Sequence, residues 1–100
     1  TPEALKAKLD DGGNVLLLDV REPLEYEINR LDGAVLMPVG QVPGRVNELS
    51  TADDIVVYCK IGNRSSFACA YLARMGFKVK NLEGGIVLWN RTNAASGTRV

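Results

Sequence analysis

Short apolar runs alternate with segments that carry helical signals along this chain. The runs cover residues 15–20, 33–39, 55–58 and 77–82, and their lengths are typical of buried strands. Helices are predicted after Thr1, whose side chain can cap the first turn, and at residues 23–28, 43–49, about 65–75 and from 84 onward. Apolar strands that alternate with helices favour the α/β class, in which a parallel sheet is covered on both faces.

Breaks in the apolar pattern predict where the domain ends. Asp11-Gly12-Gly13-Asn14 is expected to stop the first helix, and Gly76 is suited to follow the helix at 65–75. Apolar periodicity is lost after Asn90. We therefore expect one domain over residues 1–91 and a flexible C-terminal tail over residues 92–100.

Composition excludes several classes of function. The 12 basic and 12 acidic residues cancel, so neither nucleic acid nor a membrane surface is an expected partner. No apolar stretch approaches the length of a membrane span. The absence of histidine rules out a histidine base, a histidine metal ligand and a Ser-His-Asp triad, and we expect no metal.

The two cysteines have different surroundings. Cys59 and Cys69 have the spacing of neither a CxxC pair nor a zinc site, and free thiols favour a reducing compartment, here the cytoplasm. Cys69 lies within a predicted helix among Ala68, Ala70 and Leu72, so we interpret it as a small core residue.

Cys59 lies where an active site is expected in an α/β fold, directly after a buried strand and before a helix. Backbone N–H groups of residues 61–66 could converge on its sulfur and favour the thiolate. Gly62 allows the loop a positive φ, and Ser65 offers a cap or a hydroxyl. Lys60 and Arg64 add positive charge. Lys60 could equally be a solvated loop charge, and Arg64 could bind substrate or serve structural hydrogen bonding.

Several motifs together resemble those of single-domain rhodaneses, in the family's order. The segment 59–65, CKIGNRS, resembles the family's CxxGxRS loop, and Asp19-Val20-Arg21-Glu22 followed by Glu25-Tyr26 resembles its DVRE segment. Gly33-Ala34 with Pro38 resembles the GAxxxP turn, and Gly84-Gly85 with Trp89 resembles the GGxxxW ending. Two positions depart from the common pattern: Arg30 stands where many relatives have histidine, and Leu36 where many have asparagine.

The resemblance implies a rhodanese-like three-layer fold with a central parallel five-stranded sheet and helices on both faces. It implies a sulfurtransferase in which Cys59 carries sulfane sulfur as a persulfide, with no other cofactor. The donor would be thiosulfate or a protein persulfide, and the acceptor a thiol, cyanide or a sulfur-carrier protein. Residues expected to bind substrate are Lys60, Ile61, Gly62, Asn63, Arg64 and Ser65, and Asp19 and Arg21 are expected to support the pocket, as a buried ion pair or a cap at the strand end.

Two other functions remain open at this point. A cysteine phosphatase or arsenate reductase also wraps a loop around an anion, but phosphatases place arginine six residues after cysteine, whereas Arg64 follows Cys59 by five. A non-catalytic binding module is the second alternative, because a fold and a motif do not fix a substrate. An excised domain of a longer protein, such as an adenylyltransferase fusion, is a further hypothesis.

Overall fold

The computed structural model of the protein describes residues 1–10 and 14–94. Its strands are β1 (Val15–Asp19), β2 (Val35–Leu36), β3 (Asp54–Tyr58) and β4 (Lys78–Asn81). Its α-helices are α1 (Pro2–Asp10), α2 (Pro23–Ile28), α3 (Val42–Arg45), α4 (Asn63–Arg74) and α5 (Gly85–Ala94). Short 3₁₀ turns at Val39–Gln41 and Val46–Glu48 flank α3.

The strands form one parallel sheet in the order β2-β1-β3-β4. The predicted α/β class and its parallel sheet with helices on both faces are confirmed. The sheet contains four strands in the described part of the chain rather than the five that the resemblance implied. The apolar pattern itself contains only four runs, and each of them supplies one strand.

Two apolar clusters lie on opposite faces of the sheet, because successive side chains along a strand point to opposite sides. Leu18 and Val57 pack with residues of α3 and α4, including Val42 and Leu72. The neighbouring strand positions pack on the other face with α1 and α5; that cluster includes Leu17, Tyr58, Leu5, Ile86 and Trp89. The three layers therefore follow from the alternation within each strand.

Several boundaries differ from their predicted positions. The strand predicted at 33–39 shortens to Val35–Leu36: Met37 and Val39 still donate to the carbonyls of Asp19 and Val20, but Pro38 has no N–H and ends regular pairing. The helix predicted at 43–49 is one α-turn with 3₁₀ turns on both sides. Of the break expected at residues 11–14, residues 11–13 lie outside the described part of the chain. Of the tail predicted over 92–100, residues 92–94 belong to α5, and residues 95–100 lie outside the described part of the chain.

The start of α5 lies directly against the segment that follows β3. Ile86 and Val87 donate backbone hydrogen bonds to the carbonyls of Cys59 and Lys60, at 2.9 and 3.1 Å. Gly85 has φ +61°, and a Cβ there would collide with both of these carbonyl groups. A glycine is therefore required for α5 to approach the loop, and this approach fixes the backbone of Cys59. None of the helices in the described ranges is long and apolar enough to cross a membrane.

Candidate active site

The sulfur of Cys59 lies at the carboxyl end of β3, at the bottom of the loop that leads into α4. The residue is 1% exposed. The backbone N–H of Gly62 donates to Sγ at 3.0 Å, and the Ser65 hydroxyl lies 3.4 Å from it. The predicted strand-loop-helix arrangement therefore encloses the thiol with hydrogen-bonding groups.

Burial and hydrogen bonding act on the Cys59 thiol in opposite directions. Burial is the largest influence and raises the pKa. Hydrogen bonds from the Ser65 hydroxyl, and from the backbone N–H groups of Ser65, Gly62 and Arg64, lower it. Together the hydrogen bonds outweigh burial, so the pKa of Cys59 lies below its ordinary value. The loop therefore favours the thiolate, which is the reactive form of cysteine.

A cluster of polar side chains holds the loop at the N-terminus of α4. Gly62 precedes the helix with φ +116°, a conformation that glycine adopts without strain. Its carbonyl accepts hydrogen bonds from the Ser66 hydroxyl at 2.7 Å, the Ser65 hydroxyl at 3.2 Å and Asn81 Nδ2 at 3.3 Å. Asn81 is a site residue that the sequence reasoning missed. The available signal was a polar residue at the carboxyl end of β4, the same edge of the sheet as Cys59.

The guanidinium of Arg64 pairs with a residue of α2. Its two terminal nitrogens donate to the Glu25 carboxylate at 2.7 and 2.9 Å. This bidentate pairing with Arg64 is the main reason that the pKa of Glu25 falls to about 2. In this structure the Arg64 side chain joins α2 to the loop, and its backbone N–H acts on the Cys59 sulfur.

The remaining loop residues lie at the surface of the site. Lys60, Ile61 and Asn63 are exposed. Lys60 lines a cleft of about 230 Å³ between α2 and α5. It shares this cleft with Arg21, Glu25, Ile28, Asn29, Ile86, Val87 and Asn90. The lining of this cleft thus includes the residue that follows Cys59 but not Cys59 itself.

Asp19 and Arg21 form a buried ion pair at the end of β1, under the loop region. Arg21 Nη2 lies 2.8 Å from Asp19 Oδ2, and the same oxygen accepts the Tyr58 hydroxyl at 2.8 Å. Arg21 also donates to the carbonyl and side-chain oxygens of Asn29, while the Leu31 N–H donates to the Tyr58 hydroxyl. Neither ion-pair residue contacts the Cys59 sulfur in the hydrogen bonds described.

Cys69 lies within α4, and neither it nor Cys59 is in a disulfide. Burial raises the pKa of the Cys69 thiol, the opposite of the net effect at Cys59. Over the described residues, no three histidine, cysteine, aspartate or glutamate side chains are grouped as a metal site would require.

Similarity to known proteins extends over nearly the whole chain. The sequence profile of the rhodanese-like domain matches residues 1–92. A sulfurtransferase of Allochromatium vinosum is 41% identical over 90 residues, which are 89% of this chain and 84% of that protein. A thiosulfate sulfurtransferase of Pseudomonas syringae, GlpE, is 34% identical over 92 residues, covering 91% and 85% of the two chains.

A solved structure has the same fold. The crystal structure of a rhodanese-related protein from Thermoplasma volcanium superposes with a TM-score of 0.85 at 26% identity, covering 91% of this chain and 88% of the other. Fold, loop and sequence agree, and the chain belongs to the rhodanese-like domain family.

Proposed function

We propose that this protein is a sulfurtransferase that carries sulfane sulfur as a persulfide on Cys59. One observation supports this most directly: a buried thiol whose pKa is lowered by the hydroxyl and backbone N–H groups of its own loop. A terminal persulfide anion needs the same donors. The relatives named as sulfurtransferases support the same class of reaction.

The first half-reaction loads the sulfur. The Cys59 thiolate attacks the outer sulfur of thiosulfate, a new S–S bond forms, the S–S bond of thiosulfate breaks, and sulfite leaves with the electron pair. The loop N–H groups stabilise the negative charge, which lies on the Cys59 sulfur before the reaction and on the outer sulfur of the persulfide after it. No general base is required, because the attacking group is already a thiolate.

The second half-reaction unloads the sulfur. A nucleophilic acceptor attacks the outer sulfur of the persulfide, and the Cys59 thiolate leaves with the bonding electrons. Cyanide would give thiocyanate. A protein acceptor or donor, such as a sulfur carrier, is also compatible, because Ile61 and Phe67 expose apolar side chains beside the loop, at 57% and 78% of their area. Because both thiols are free and the proposed reaction needs a reduced Cys59, we propose a cytoplasmic location for the protein.

A cysteine phosphatase is less well supported. A phosphatase needs its arginine to bind the phosphate beside the sulfur, but the Arg64 guanidinium is held by both oxygens of Glu25. A non-catalytic module is also less well supported, because a module without chemistry has no need of a thiol with a lowered pKa.

Intact-mass measurement tests the proposal. We expect incubation with excess thiosulfate to add about 32 Da, one sulfur atom, and cyanide to remove it with release of thiocyanate, as expected of an activated thiolate. Cys59→Ser should accept no sulfur while it retains the wild-type circular dichroism spectrum.

The matched control is Cys69→Ser, which removes the other thiol and should load as the wild type does. Loading in Cys59→Ser would assign the sulfur to another residue. If neither thiosulfate nor a protein persulfide loads the wild-type protein, the sulfurtransferase proposal is wrong.

A further inference from the structure

Asn81 touches the Cys59 loop from a strand that carries no other part of the site. It is the last residue of β4 and is partly buried. Its Oδ1 lies 2.5 Å from the Ser65 hydroxyl oxygen, and its Nδ2 lies 3.1 Å from the Ser66 hydroxyl and 3.3 Å from the Gly62 carbonyl. One asparagine side chain therefore contacts the same hydroxyl that faces the Cys59 sulfur.

The hydroxyl of Ser65 has more acceptors around it than protons to donate. A serine hydroxyl has a single proton to donate. The Ser65 oxygen has three neighbours that can accept it: Asn81 Oδ1 at 2.5 Å, the Gly62 carbonyl at 3.2 Å and Cys59 Sγ at 3.4 Å. The Gly62 carbonyl already accepts from Ser66 and Asn81. The choice therefore lies mainly between the asparagine oxygen and the sulfur, and the asparagine is much the nearer.

We propose that Asn81 is a positioning residue for the Cys59 nucleophile, because its side-chain oxygen holds the Ser65 hydroxyl proton away from the sulfur. In the thiol form, Cys59 donates its own proton to the Ser65 oxygen, and Ser65 donates to Asn81. In the thiolate form the sulfur has no proton, and Ser65 must turn from Asn81 to reach it. Forming the thiolate thus breaks the hydrogen bond between Ser65 and Asn81.

This role deepens the proposed function and rests on Cys59 being its nucleophile. Asn81 limits how much thiolate the unloaded protein contains, while the backbone donors of the loop favour it. A purely structural role for Asn81 predicts the opposite effect on Cys59. Loss of a loop anchor would misalign the N–H groups around the sulfur, and the thiolate would become less stable.

The pH dependence of Cys59 alkylation separates the two roles. Iodoacetamide reacts with the thiolate, so the rate against pH gives the midpoint of its formation. In a Cys69→Ser background, we expect Asn81→Ala to move the midpoint to lower pH. Below the midpoint the rate should rise about three- to tenfold, since one pKa unit changes the thiolate fraction tenfold. The matched control is Asn47→Ala, an exposed asparagine outside the loop, which should leave the midpoint in place.

Ser65→Ala completes a double-mutant cycle. Removal of the hydroxyl should raise the midpoint, and Asn81→Ala should then have no further effect, because the influence of Asn81 passes through Ser65. An unchanged or higher midpoint in Asn81→Ala alone would overturn the proposal. So would an equal shift with and without Ser65.

Asn81→Asp covers the case in which Asn81→Ala does not fold. Aspartate keeps the acceptor and the size of the side chain but strengthens its hold on the Ser65 proton. The midpoint should rise, and it should rise less in the Ser65→Ala background; the same rise in both would contradict the role. Alkylation needs no sulfur donor, so failure of sulfur transfer and failure of this inference are distinguishable.

Discussion

The two cysteines show how the surroundings of a thiol set its reactivity. Both are shielded from solvent to some degree, and burial raises the pKa of each. At Cys59 the Ser65 hydroxyl and the loop N–H groups reverse that effect, whereas at Cys69 burial acts alone. The opposite directions of the two pKa shifts therefore come from the hydrogen bonds around Cys59.

Limited labelling at mild pH should be selective for Cys59. The lowered pKa gives Cys59 the larger thiolate fraction, so a small reagent such as iodoacetamide should modify it at least about tenfold faster than Cys69 near pH 6.5. Peptide mapping after short exposure measures the ratio. As pH rises toward the ordinary thiol range, the preference should shrink; modification of Cys69 first would contradict the thiolate assignment.

At the scale of single residues, the sequence predicted the features of the site that depend on residues close together in the chain. The positions of Cys59, Gly62 and Ser65 within one loop follow from a strand, a glycine and a helix start. Asn81 and Glu25 were missed as partners of the loop, because Asn81 is 16 residues from Ser65 and Glu25 is 39 from Arg64. Contacts between distant parts of the chain depend on the sheet order, which the local pattern does not contain.

Among the elements, α2 is joined to the loop by the pair between Glu25 and Arg64. α2 has no fully buried residue, and Leu24 and Ile28 on it are exposed. A helix with so little burial depends on polar contacts for its position. The Glu25–Arg64 pair and the Tyr26 hydroxyl, which donates to the Ala34 carbonyl at 2.6 Å, supply them.

The contribution of Glu25 to stability should depend on pH. The pKa of Glu25 is depressed in the folded protein to about 2, so its stabilisation is present above the unfolded value of about 4.3 and is lost as the pH falls toward 2. Glu25→Gln should therefore lower the free energy of unfolding at pH 7 by no more than about 1 kcal/mol, since the pair is partly exposed. Urea unfolding between pH 7 and pH 2 measures the difference.

Glu27→Gln is the control for that experiment, since it removes the same charge from the same helix at an exposed position. Its difference from the wild type should stay small at every pH. A Glu25 effect that persisted unchanged at pH 2 would show that the carboxylate charge is not its cause.

Element types were predicted better than element ends. Residues 55–58 and 65–75 correspond closely to β3 and α4, because a continuous apolar run and a glycine after a helix are strong signals. The strand at 33–39 and the helix at 43–49 were too long. Pro38 interrupts pairing in the first, and residues 42–48 divide between α and 3₁₀ geometry in the second. Such divisions depend on packing and not on residue type alone.

Across the molecule, one buried polar network links three segments of the chain. Arg21, which is 2% exposed, joins Asp19 at the end of β1 to Asn29 after α2, and Asp19 in turn accepts the hydroxyl of Tyr58 at the end of β3. Burial raises the pKa of Tyr58 well above its ordinary value, so its hydroxyl remains a donor to Asp19. The carboxyl edge of the sheet is therefore held by charge as well as by apolar packing.

Removal of Arg21 should destabilise the whole domain. Arg21→Met leaves the Asp19 carboxylate buried without its cation, which costs about 3–5 kcal/mol of folding free energy. Equilibrium urea unfolding at pH 7 checks this. Arg74→Met, which changes an exposed arginine of α4, should stay within about 0.5 kcal/mol of the wild type; equal losses in the two variants would assign no special role to the network.

The three-layer architecture was predictable because β1 and β3 are continuous apolar runs. Successive side chains in a strand point to opposite faces of the sheet, so both faces must be covered. The expected fifth strand had no apolar run of its own. It came from the resemblance, and the described residues form a four-stranded sheet without it. The polar network was anticipated only as an Asp19–Arg21 pair, since nothing local identifies Tyr58 and Asn29 as its other members.

The burial of Cys59 also determines what a large partner can detect. An added sulfane atom extends the side chain by the length of one S–S bond, about 2 Å. The unloaded sulfur lies below the protein surface, and a persulfide that points outward would bring its outer sulfur nearer to that surface. On the proposed mechanism, a bulky acceptor would therefore reach a reactive sulfur on the loaded protein and only the loop backbone on the unloaded one.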